Sequence, residues 1–200
     1  MKLIYASASP FVRKVSVVLR EAGLLEQTEV VEVATTPVNS ASEAIAANPT
    51  GKIPALILDD GSSIYDSRVI CRYLDDQSAA NLYPQEDIWR HLTLEATADA
   101  VMDAAVLMVY EHRVRPEEHI YAPWVEAQWS KVTRSLKAIN DDWMDVLSGP
   151  LVIGQIGVGC ALAYLDFRHD DRDWRSDNPA LADWFEGFRQ RPSMKATEPS

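Results

Sequence analysis

The order of local patterns along the chain is the feature that most restricts its fold. Through residue 76, short strand-type runs alternate with helix-type runs in the order β-α-β-α-β-β-α. Beyond residue 86, only helix-type patterns follow, spanning 87–113, 124–147, 153–169 and 179–189. The sequence therefore predicts an α/β domain over 1–76, a linker over 77–86 and an all-helical domain over 87–200.

Charge and hydropathy exclude two classes of partner. The 200 residues carry a net charge of −11, and the longest basic cluster is Arg13-Lys14. A nucleic-acid binder needs a basic face, so we expect no nucleic-acid partner. No apolar run approaches the roughly 20 residues of a membrane helix, and Leu3–Tyr5 is too short for a signal peptide. We therefore expect no membrane association and a cytoplasmic location.

The two cysteines lie inside apolar helical patterns. Cys71 and Cys160 both have the apolar neighbours of core residues. We expect both to be buried and reduced, with no disulfide between them.

A serine-proline pair joins the first predicted strand to the first predicted helix. Proline suits the first position of a helix, where its missing N–H costs no hydrogen bond, and serine is a preferred N-cap. Ser9-Pro10 therefore fits an ordinary helix start. Free N–H groups and the helix dipole favour an anion there, so the hydroxyl equally suits a ligand thiolate. These residues alone leave both interpretations open.

A second proline stands immediately before a predicted strand, in the segment NPTGKIPA of residues 48–55. Pro54 removes one N–H from the sheet ladder, which is compatible with an ordinary edge strand. If the Ile53–Pro54 bond is cis, the backbone of Ile53 can instead face a ligand and pair with it as a further strand would.

A third motif, Tyr65-Asp66-Ser67-Arg68, lies where a strand becomes a helix. As isolated residues they form an ordinary helix cap. Ser67 also offers a hydroxyl and a backbone N–H that suit a carboxylate, and Asp66 can accept a hydrogen bond from an ammonium. Together, the three motifs suit a thiolate, a peptide backbone and an amino-acid head group bearing both charges.

The three motifs resemble those of the glutathione transferase superfamily. SPFVRK, NPTGKIPAL and YDSRVICRYL stand in the order and spacing of that family, and GCALAYLDFR in the helical half is similar to short bacterial members. The resemblance extends over essentially the whole chain. It implies a thioredoxin-like N-terminal domain, an all-α C-terminal domain and glutathione as co-substrate.

The resemblance assigns roles by position. Stabilisation of the glutathione thiolate falls to Ser9, with Ser7 as the less favoured alternative. Binding of glutathione is assigned to Ile53, Pro54, Asp66, Ser67 and Lys52. For the glycine carboxylate of glutathione the candidate cations are Lys52 and Arg13. Because serine stands where exchange enzymes of this family have cysteine, we do not expect thiol–disulfide exchange by a protein thiol.

The implied activity is conjugation of the glutathione thiolate to small hydrophobic electrophiles, a detoxification reaction, by a homodimer. A free thiol has a pKa of about 8.5, and one hydroxyl plus a helix N-terminus lower it by about one to two units. Two alternatives remain. One is a non-catalytic module that binds glutathione or a protein, and the other is a glutathione-dependent peroxidase or isomerase.

The helix predicted over 87–113 carries ionisable side chains every fourth residue, at His91, Glu95, Asp99 and Asp103. No second helix supplies a partner Glu-x-x-His, so we expect no metal. Two interpretations remain: a solvated acidic face or, as the family resemblance implies, a cleft at a dimer axis where an acid reaches the ligand ammonium. Candidates for the cleft and electrophile pocket are Phe11, Asp99, Met102, Asp103, Val106 and Tyr110.

The chain departs from the family before its central core helix. Family members carry a Ser/Thr-x-x-Asp capping box there, whereas this chain has Val152-Ile153-Gly154-Gln155. Valine has no acceptor, so Gln155 supplies half of the reciprocal pair at a cost of about 0.5–2 kcal/mol. Gly157 and Gly159 in the same helix either add to this cost or mark close helix packing.

Overall fold

The computed structural model describes residues 1–199, which form two compact units. Unit 1 comprises residues 1–84 together with the residues from Pro192 onward, and unit 2 comprises Gln85–Arg191. Unit 1 is a mixed α/β unit with a four-stranded sheet, and unit 2 is helical. The predicted fold class, a thioredoxin-like domain followed by an all-helical domain, is confirmed.

Unit 1 contains the predicted βαβαββα order. Its strands and helices are β1 (Lys2–Tyr5), α1 (Pro10–Glu21), β2 (Glu29–Glu32), α2 (Ser42–Ala47), β3 (Ala55–Ile57), β4 (Ser63–Ile64) and α3 (Ser67–Asp76). A 3₁₀ turn over Leu25–Gln27 connects α1 to β2. The core between helices and sheet is aliphatic, with Leu3, Val15, Val18, Leu56 and Ile70 fully buried.

Unit 2 contains five helices in its described residues. They are α4 (Ile88–Val114), α5 (Ala122–Asp142), α6 (Met144–Leu147), α7 (Ile153–Arg168) and α8 (Pro179–Phe188). The single helix predicted over 124–147 is divided at Trp143, whose backbone (φ −124°, ψ 5°) leaves the helical range. A 3₁₀ turn over Glu117–His119 lies between α4 and α5.

The sheet of unit 1 has the order β2-β1-β3-β4. β1 runs parallel to β2, and β3 runs antiparallel to β1 with Ile4 opposite Ala55. β4 runs antiparallel to β3 with Leu56 opposite Ile64. The end of β1, the start of β3 and the end of β4 therefore lie at the same edge of the sheet.

The last described segment of the chain packs into unit 1. The guanidinium of the buried Arg13 on α1 donates to the Met194 carbonyl (3.0 Å) and to Thr197 Oγ1 (3.4 Å). Ser193 Oγ donates to the Glu21 carboxylate at the end of α1. Ser193 and Met194 belong to a short helix α9 (Pro192–Lys195), and Thr197 follows it.

This placement differs from the predicted domain over 87–200. Local sequence patterns indicate whether a segment forms a helix or a strand. They do not indicate which distant helix that segment contacts. The contacts of residues 192–199 are made with α1, so this segment belongs with unit 1, while Ser200 lies outside the described residues.

Glycines allow α4 and α7 to approach closely. A Cβ on Gly154 would lie 2.7 Å from the Leu94 side chain, and one on Gly157 would lie 3.1 Å from Ala98 Cβ. Both distances are shorter than an ordinary carbon–carbon contact. Of the two interpretations of Gly157, the structure supports close helix packing.

Gln155 organises the start of α7 without a serine or threonine cap. Its Oε1 accepts from the Val152 backbone N–H at 2.7 Å, which is the predicted half of a capping box. Its Nε2 donates to the carbonyls of Leu147 (2.9 Å) and Gly149 (3.2 Å). One buried amide therefore satisfies three backbone groups in the turn before the helix.

Gln155→Ala is expected to lower the free energy of unfolding by about 2–4 kcal/mol. It leaves the Val152 N–H and the Gly149 carbonyl without this partner and removes one of two donors to the Leu147 carbonyl, the other being Trp184 Nε1 at 2.8 Å. Urea denaturation followed by circular dichroism measures the change. Gln77→Ala, at an exposed position after α3, is the matched control and should change stability by less than about 0.5 kcal/mol. Equal stability of the two variants would contradict the role given to Gln155.

A buried histidine links the end of α7 to α4. His169 Nε2 lies 3.0 Å from the Ala105 carbonyl and donates to it. Burial lowers the pKa of His169 below 6.5, although the Ala105 carbonyl opposes this shift. The folded protein therefore holds this ring neutral at a pH where an unfolded chain would begin to protonate it.

His169 is expected to make the protein less stable in mild acid. Above its unfolded pKa of 6.5 the ring is neutral in both states, and below it the unfolded state binds the proton preferentially. Between about pH 7.5 and about pH 5.5, wild type should lose up to about 1.4 kcal/mol more than His169→Gln. Thermal unfolding at the two pH values tests this. His119→Gln, at an exposed site, should follow wild type, and a His169→Gln profile parallel to wild type would contradict the prediction.

Cys71 and Cys160 are both buried and form no disulfide, as predicted.

In the part of the chain that is described, none of the helices has the length and apolar character needed to cross a membrane.

Candidate glutathione site

The three sequence motifs meet at one edge of the sheet. Ser9 follows the end of β1, Ile53 precedes the start of β3, and Asp66 follows the end of β4. The antiparallel pairing of β3 with both β1 and β4 brings these three strand ends together. Unit 1 therefore places a helix-capping hydroxyl, an extended backbone segment and a carboxylate along the same edge.

Ser9 is the N-cap of α1. Its backbone is extended (φ −86°, ψ 122°), and its Oγ accepts from the Val12 backbone N–H at 3.3 Å. The hydroxyl uses a lone pair in this bond, so its own proton stays available to a ligand. Ser7 lies in the same loop and is half-buried, as is Phe11 in the first turn of the helix. Capping and donation to an anion are thus compatible at Ser9.

The segment before β3 is held by one buried side chain. The Ile53–Pro54 peptide bond is cis, the geometry on which the ligand-facing interpretation depended. Asn48 Nδ2 donates to the Lys52 carbonyl (2.9 Å), and its Oδ1 accepts from the backbone N–H and hydroxyl of Thr50. Within residues 1–199, no hydrogen-bond partner lies within reach of the Ile53 backbone N–H and C=O. These two groups are the ones a peptide-like ligand would use.

Gly51 is required by the same loop. Its φ of +67° is unfavourable for any residue with a side chain, and a Cβ there would lie 2.7 Å from Ser40 Oγ. Asn48 was not among the residues predicted to form the site. Its signal was present in the Asn-Pro-Thr-Gly run, since asparagine side chains commonly bond the backbone two residues onward in turns.

Asp66 and Ser67 begin α3. Asp66 is the N-cap and accepts from the Arg68 backbone N–H at 3.0 Å, while Ser67 is buried in the first turn. Partial burial alone would raise the pKa of the Asp66 carboxyl. The backbone and guanidinium of Arg68, with a smaller contribution from Lys14, outweigh burial and hold this pKa below its ordinary value. Asp66 is therefore an anion at neutral pH, next to the free N–H groups of a helix start.

The two candidate cations for a carboxylate lie in different surroundings. Lys52 is exposed beside Ile53. Arg13 is 6% exposed, and its guanidinium is held by Met194 and Thr197. Of the two, Lys52 is therefore the one whose charged group is accessible to a ligand.

The predicted cleft residues of unit 2 follow one side of α4. Asp99 and Met102 are buried, Val106 is half-buried, and Asp103 and Tyr110 are exposed. Glu95 is buried as well, so the acidic positions do not form a uniformly solvated face. In residues 1–199, no three His, Cys, Asp or Glu side chains are grouped so that they could hold a metal ion.

Two family models match the chain. Residues 8–77 match the glutathione S-transferase N-terminal domain, and residues 122–187 match the glutathione S-transferase C-terminal domain. The chain belongs to the glutathione S-transferase family. The family resemblance inferred from the three motifs is thereby confirmed, and the N-terminal match includes all three of them.

Similar proteins agree with this assignment. An uncharacterized GST-like protein from Escherichia coli K12, YibF, is 32% identical over 100% of this chain and 98% of its own. A glutathione transferase family member from Pseudomonas fluorescens Pf-5, solved with bound glutathione, is 44% identical with a TM-score of 0.97, over 100% of this chain and 98% of that one. A second Pf-5 structure, with bound S-(propanoic acid)-glutathione, is 44% identical with a TM-score of 0.93 over 100% of both chains.

Proposed function

We propose that this protein is a glutathione transferase that conjugates the glutathione thiolate to small electrophiles. The observation that supports it is the meeting of Ser9, Ile53 and Asp66 at one sheet edge of unit 1. Each offers a group that glutathione needs: a hydroxyl for the sulfur, a backbone for the cysteinyl residue and an anion for the ammonium. The similar protein from Pseudomonas fluorescens Pf-5 has glutathione bound.

In this proposal, Ser9 stabilises the thiolate and forms no covalent bond to it. Its Oγ accepts from the Val12 N–H, and its proton is donated to the glutathione sulfur. The N-terminus of α1 adds a favourable field for the negative charge. A reduction of one to two pKa units requires roughly 1.4–2.7 kcal/mol, which one such hydrogen bond and a helix terminus supply.

The peptide part of glutathione would be bound through backbone and charge. Ile53 would pair with the cysteinyl residue through its N–H and C=O, in the manner of an added strand. The Asp66 carboxylate would accept from the γ-glutamyl ammonium, and Ser67 would donate to the γ-glutamyl carboxylate. The exposed Lys52 is the candidate for the glycine carboxylate.

Two measurements on the wild-type protein test the proposal. Ultraviolet titration of bound glutathione should show thiolate forming at a pH about one to two units below that of the free thiol. An aromatic chloride electrophile should then be conjugated, with release of chloride. Tight glutathione binding without conjugation would favour the non-catalytic module. Turnover of hydroperoxides or of cis-trans isomers alone would favour the peroxidase or isomerase.

We also propose that the protein acts as a homodimer. Val69 on α3 is 50% exposed and Leu107 on α4 is 41% exposed, and a partner subunit would remove such apolar surface from water. In a dimer the exposed Asp103, or the buried Asp99, would be the acid that reaches a ligand ammonium across the axis. Sedimentation at micromolar concentration decides the point, and a purely monomeric profile would overturn the shared site.

A further inference from the structure

Asn48 differs from its neighbours in the loop that leads into β3. It is 2% exposed, whereas Pro49, Thr50 and Lys52 are all exposed. Burying a polar side chain costs free energy unless its groups are hydrogen-bonded. The partners of Asn48 therefore decide what this residue does for the loop.

The backbone of Asn48 attaches it to a packed helix of unit 1. Its N–H donates to the Ala44 carbonyl at 2.8 Å, at the end of α2, and its own carbonyl accepts from the Gly51 N–H at 2.8 Å. Ala44 and Ala47 of α2 are buried in one cluster with Ile4 of β1. The Asn48 side chain therefore extends from a fixed point and not from a free loop.

The two ends of the Asn48 amide bind groups of opposite character. Its Oδ1 accepts from the Thr50 N–H at 3.0 Å and from Thr50 Oγ1 at 2.9 Å. Its Nδ2 donates to the Lys52 carbonyl at 2.9 Å. A backbone N–H can only donate and a carbonyl can only accept, so these partners determine which way the amide is turned. The donor end of Asn48 is therefore directed at Lys52.

The bond to Lys52 orients the next amide group of the chain. The Lys52 carbonyl and the Ile53 N–H belong to one planar peptide unit, and the Lys52–Ile53 bond is trans. In a trans unit the C=O and the N–H point in opposite directions. Because Asn48 holds the oxygen, the Ile53 N–H points away from Asn48, where no group of residues 1–199 accepts from it.

The same bond makes Ile53 a stronger donor. A hydrogen bond accepted by a peptide carbonyl polarises the peptide unit, and hydrogen bonds in a chain strengthen one another. Asn48 thus affects both the direction and the strength of the Ile53 N–H. It does so from a buried position that a ligand does not contact.

We propose that Asn48 is a positioning residue for glutathione. It holds the Lys52–Ile53 peptide unit so that the Ile53 N–H donates to the carbonyl of the cysteinyl residue. Because the cysteinyl residue carries the sulfur, the same peptide unit sets where the thiol stands relative to Ser9. This inference rests on the proposed function and specifies how the protein prepares the backbone group that binds glutathione.

A modified ligand isolates the bond from Ile53. S-methylglutathione, which has no free thiol and does not react, is compared with an isostere in which a trans alkene replaces the cysteinyl–glycine peptide bond. The isostere lacks the carbonyl that would accept from Ile53 and keeps both charged ends. Calorimetry at neutral pH gives the ratio of the two dissociation constants for each protein.

Wild type should bind S-methylglutathione about 10-fold more tightly than the isostere, as expected for one directed hydrogen bond. In Asn48→Asp this preference should fall to about 2-fold, because a carboxylate accepts from Thr50 but cannot donate to the Lys52 carbonyl. Thr50→Val is the matched control. It removes a hydroxyl from the same network, leaves the bond from Asn48 to Lys52 in place and should retain the wild-type preference.

A second variant keeps the test decisive if a buried carboxylate prevents folding. Asn48→Ala removes the amide without adding a charge and should also lower the preference to about 2-fold. Circular dichroism at the temperature of the titration shows that each variant is folded. A loss of loop order without a role for the Ile53 N–H would weaken the binding of both ligands by the same factor and leave the preference unchanged.

The outcomes separate the inference from the proposed function. A preference that persists in both Asn48 variants would overturn the inference while glutathione binding through Ile53 stands. Equal binding of the two ligands by wild type would show that the Ile53 N–H is not used, and would overturn the inference together with that part of the binding mode. Failure of wild type to bind S-methylglutathione would overturn the proposed function, and the inference with it.

Discussion

Ser9→Gly will raise the pKa of the bound glutathione thiol by about one unit and lower conjugation at pH 7 by about 3- to 8-fold, while the helix N-terminus keeps its share of the shift. The variant lacks the hydroxyl that would stabilise the thiolate. Glycine is nevertheless an adequate N-cap and costs only a few tenths of a kcal/mol in helix stability. The measurement is the pH dependence of kcat/KM with a fixed aromatic electrophile. Because the thiol is fully ionised in alkali, the two rates should converge above about pH 9.

Three companion variants separate catalysis from capping at this position. Ser9→Ala loses both functions and should also unfold more readily, by about 0.5–2 kcal/mol. Ser9→Thr keeps the hydroxyl and should keep a low thiol pKa. Ser7→Ala is the matched control in the same loop and should resemble wild type. If bound glutathione titrates identically in wild type and Ser9→Gly, then Ser9 has no role at the sulfur.

Asp66→Asn will weaken glutathione binding by about 10- to 100-fold, because a charge-assisted bond to the ammonium becomes a neutral one. Asparagine remains a good N-cap and can still accept from the Arg68 N–H, so α3 should begin unchanged. Calorimetry with glutathione measures the loss. Asp76→Asn, at the exposed end of the same helix, is the control for net charge and should bind as wild type does.

The pH dependence of binding gives a second, independent test of Asp66. The carboxyl must be ionised to accept from the ammonium, and Arg68 keeps its pKa below 3.8. The contribution of Asp66 should therefore be constant from neutral pH downward and be lost only as the pH falls through that lowered pKa. The affinity ratio of wild type to Asp66→Asn isolates this step from the titration of glutathione itself. A ratio that already declines between about pH 6 and about pH 5 would contradict the low pKa.

Local chemistry was sufficient to predict the starts of the helices that form the site. Ser9-Pro10 and Asp66-Ser67 both contain a residue that caps a helix, and the structure begins α1 and α3 at the next position in each case. The alternation of strand and helix patterns likewise predicted the order of elements in unit 1. These features depend on neighbours within about four residues, which a sequence displays directly.

Contacts between distant segments could not be predicted in the same way. Gln155 was assigned half of a capping box, yet its amide also holds the carbonyls of residues 147 and 149. Arg13 was a candidate ligand cation, yet it is buried against the segment at Met194. Each case depends on which elements pack together, and periodicity carries no information about that.

The packing of residues 192–199 against α1 has a consequence for the order of events during synthesis. The hydrogen-bond acceptors of Arg13 are Met194 and Thr197, and every residue of unit 2 is translated between them. An N-terminal domain usually folds to completion while the rest of the chain is still being synthesised. Unit 1 cannot form all of its contacts in that order, because the segment that begins at Pro192 is synthesised last. Unit 1, which holds the proposed glutathione site, begins first and is finished last, after unit 2 has left the ribosome.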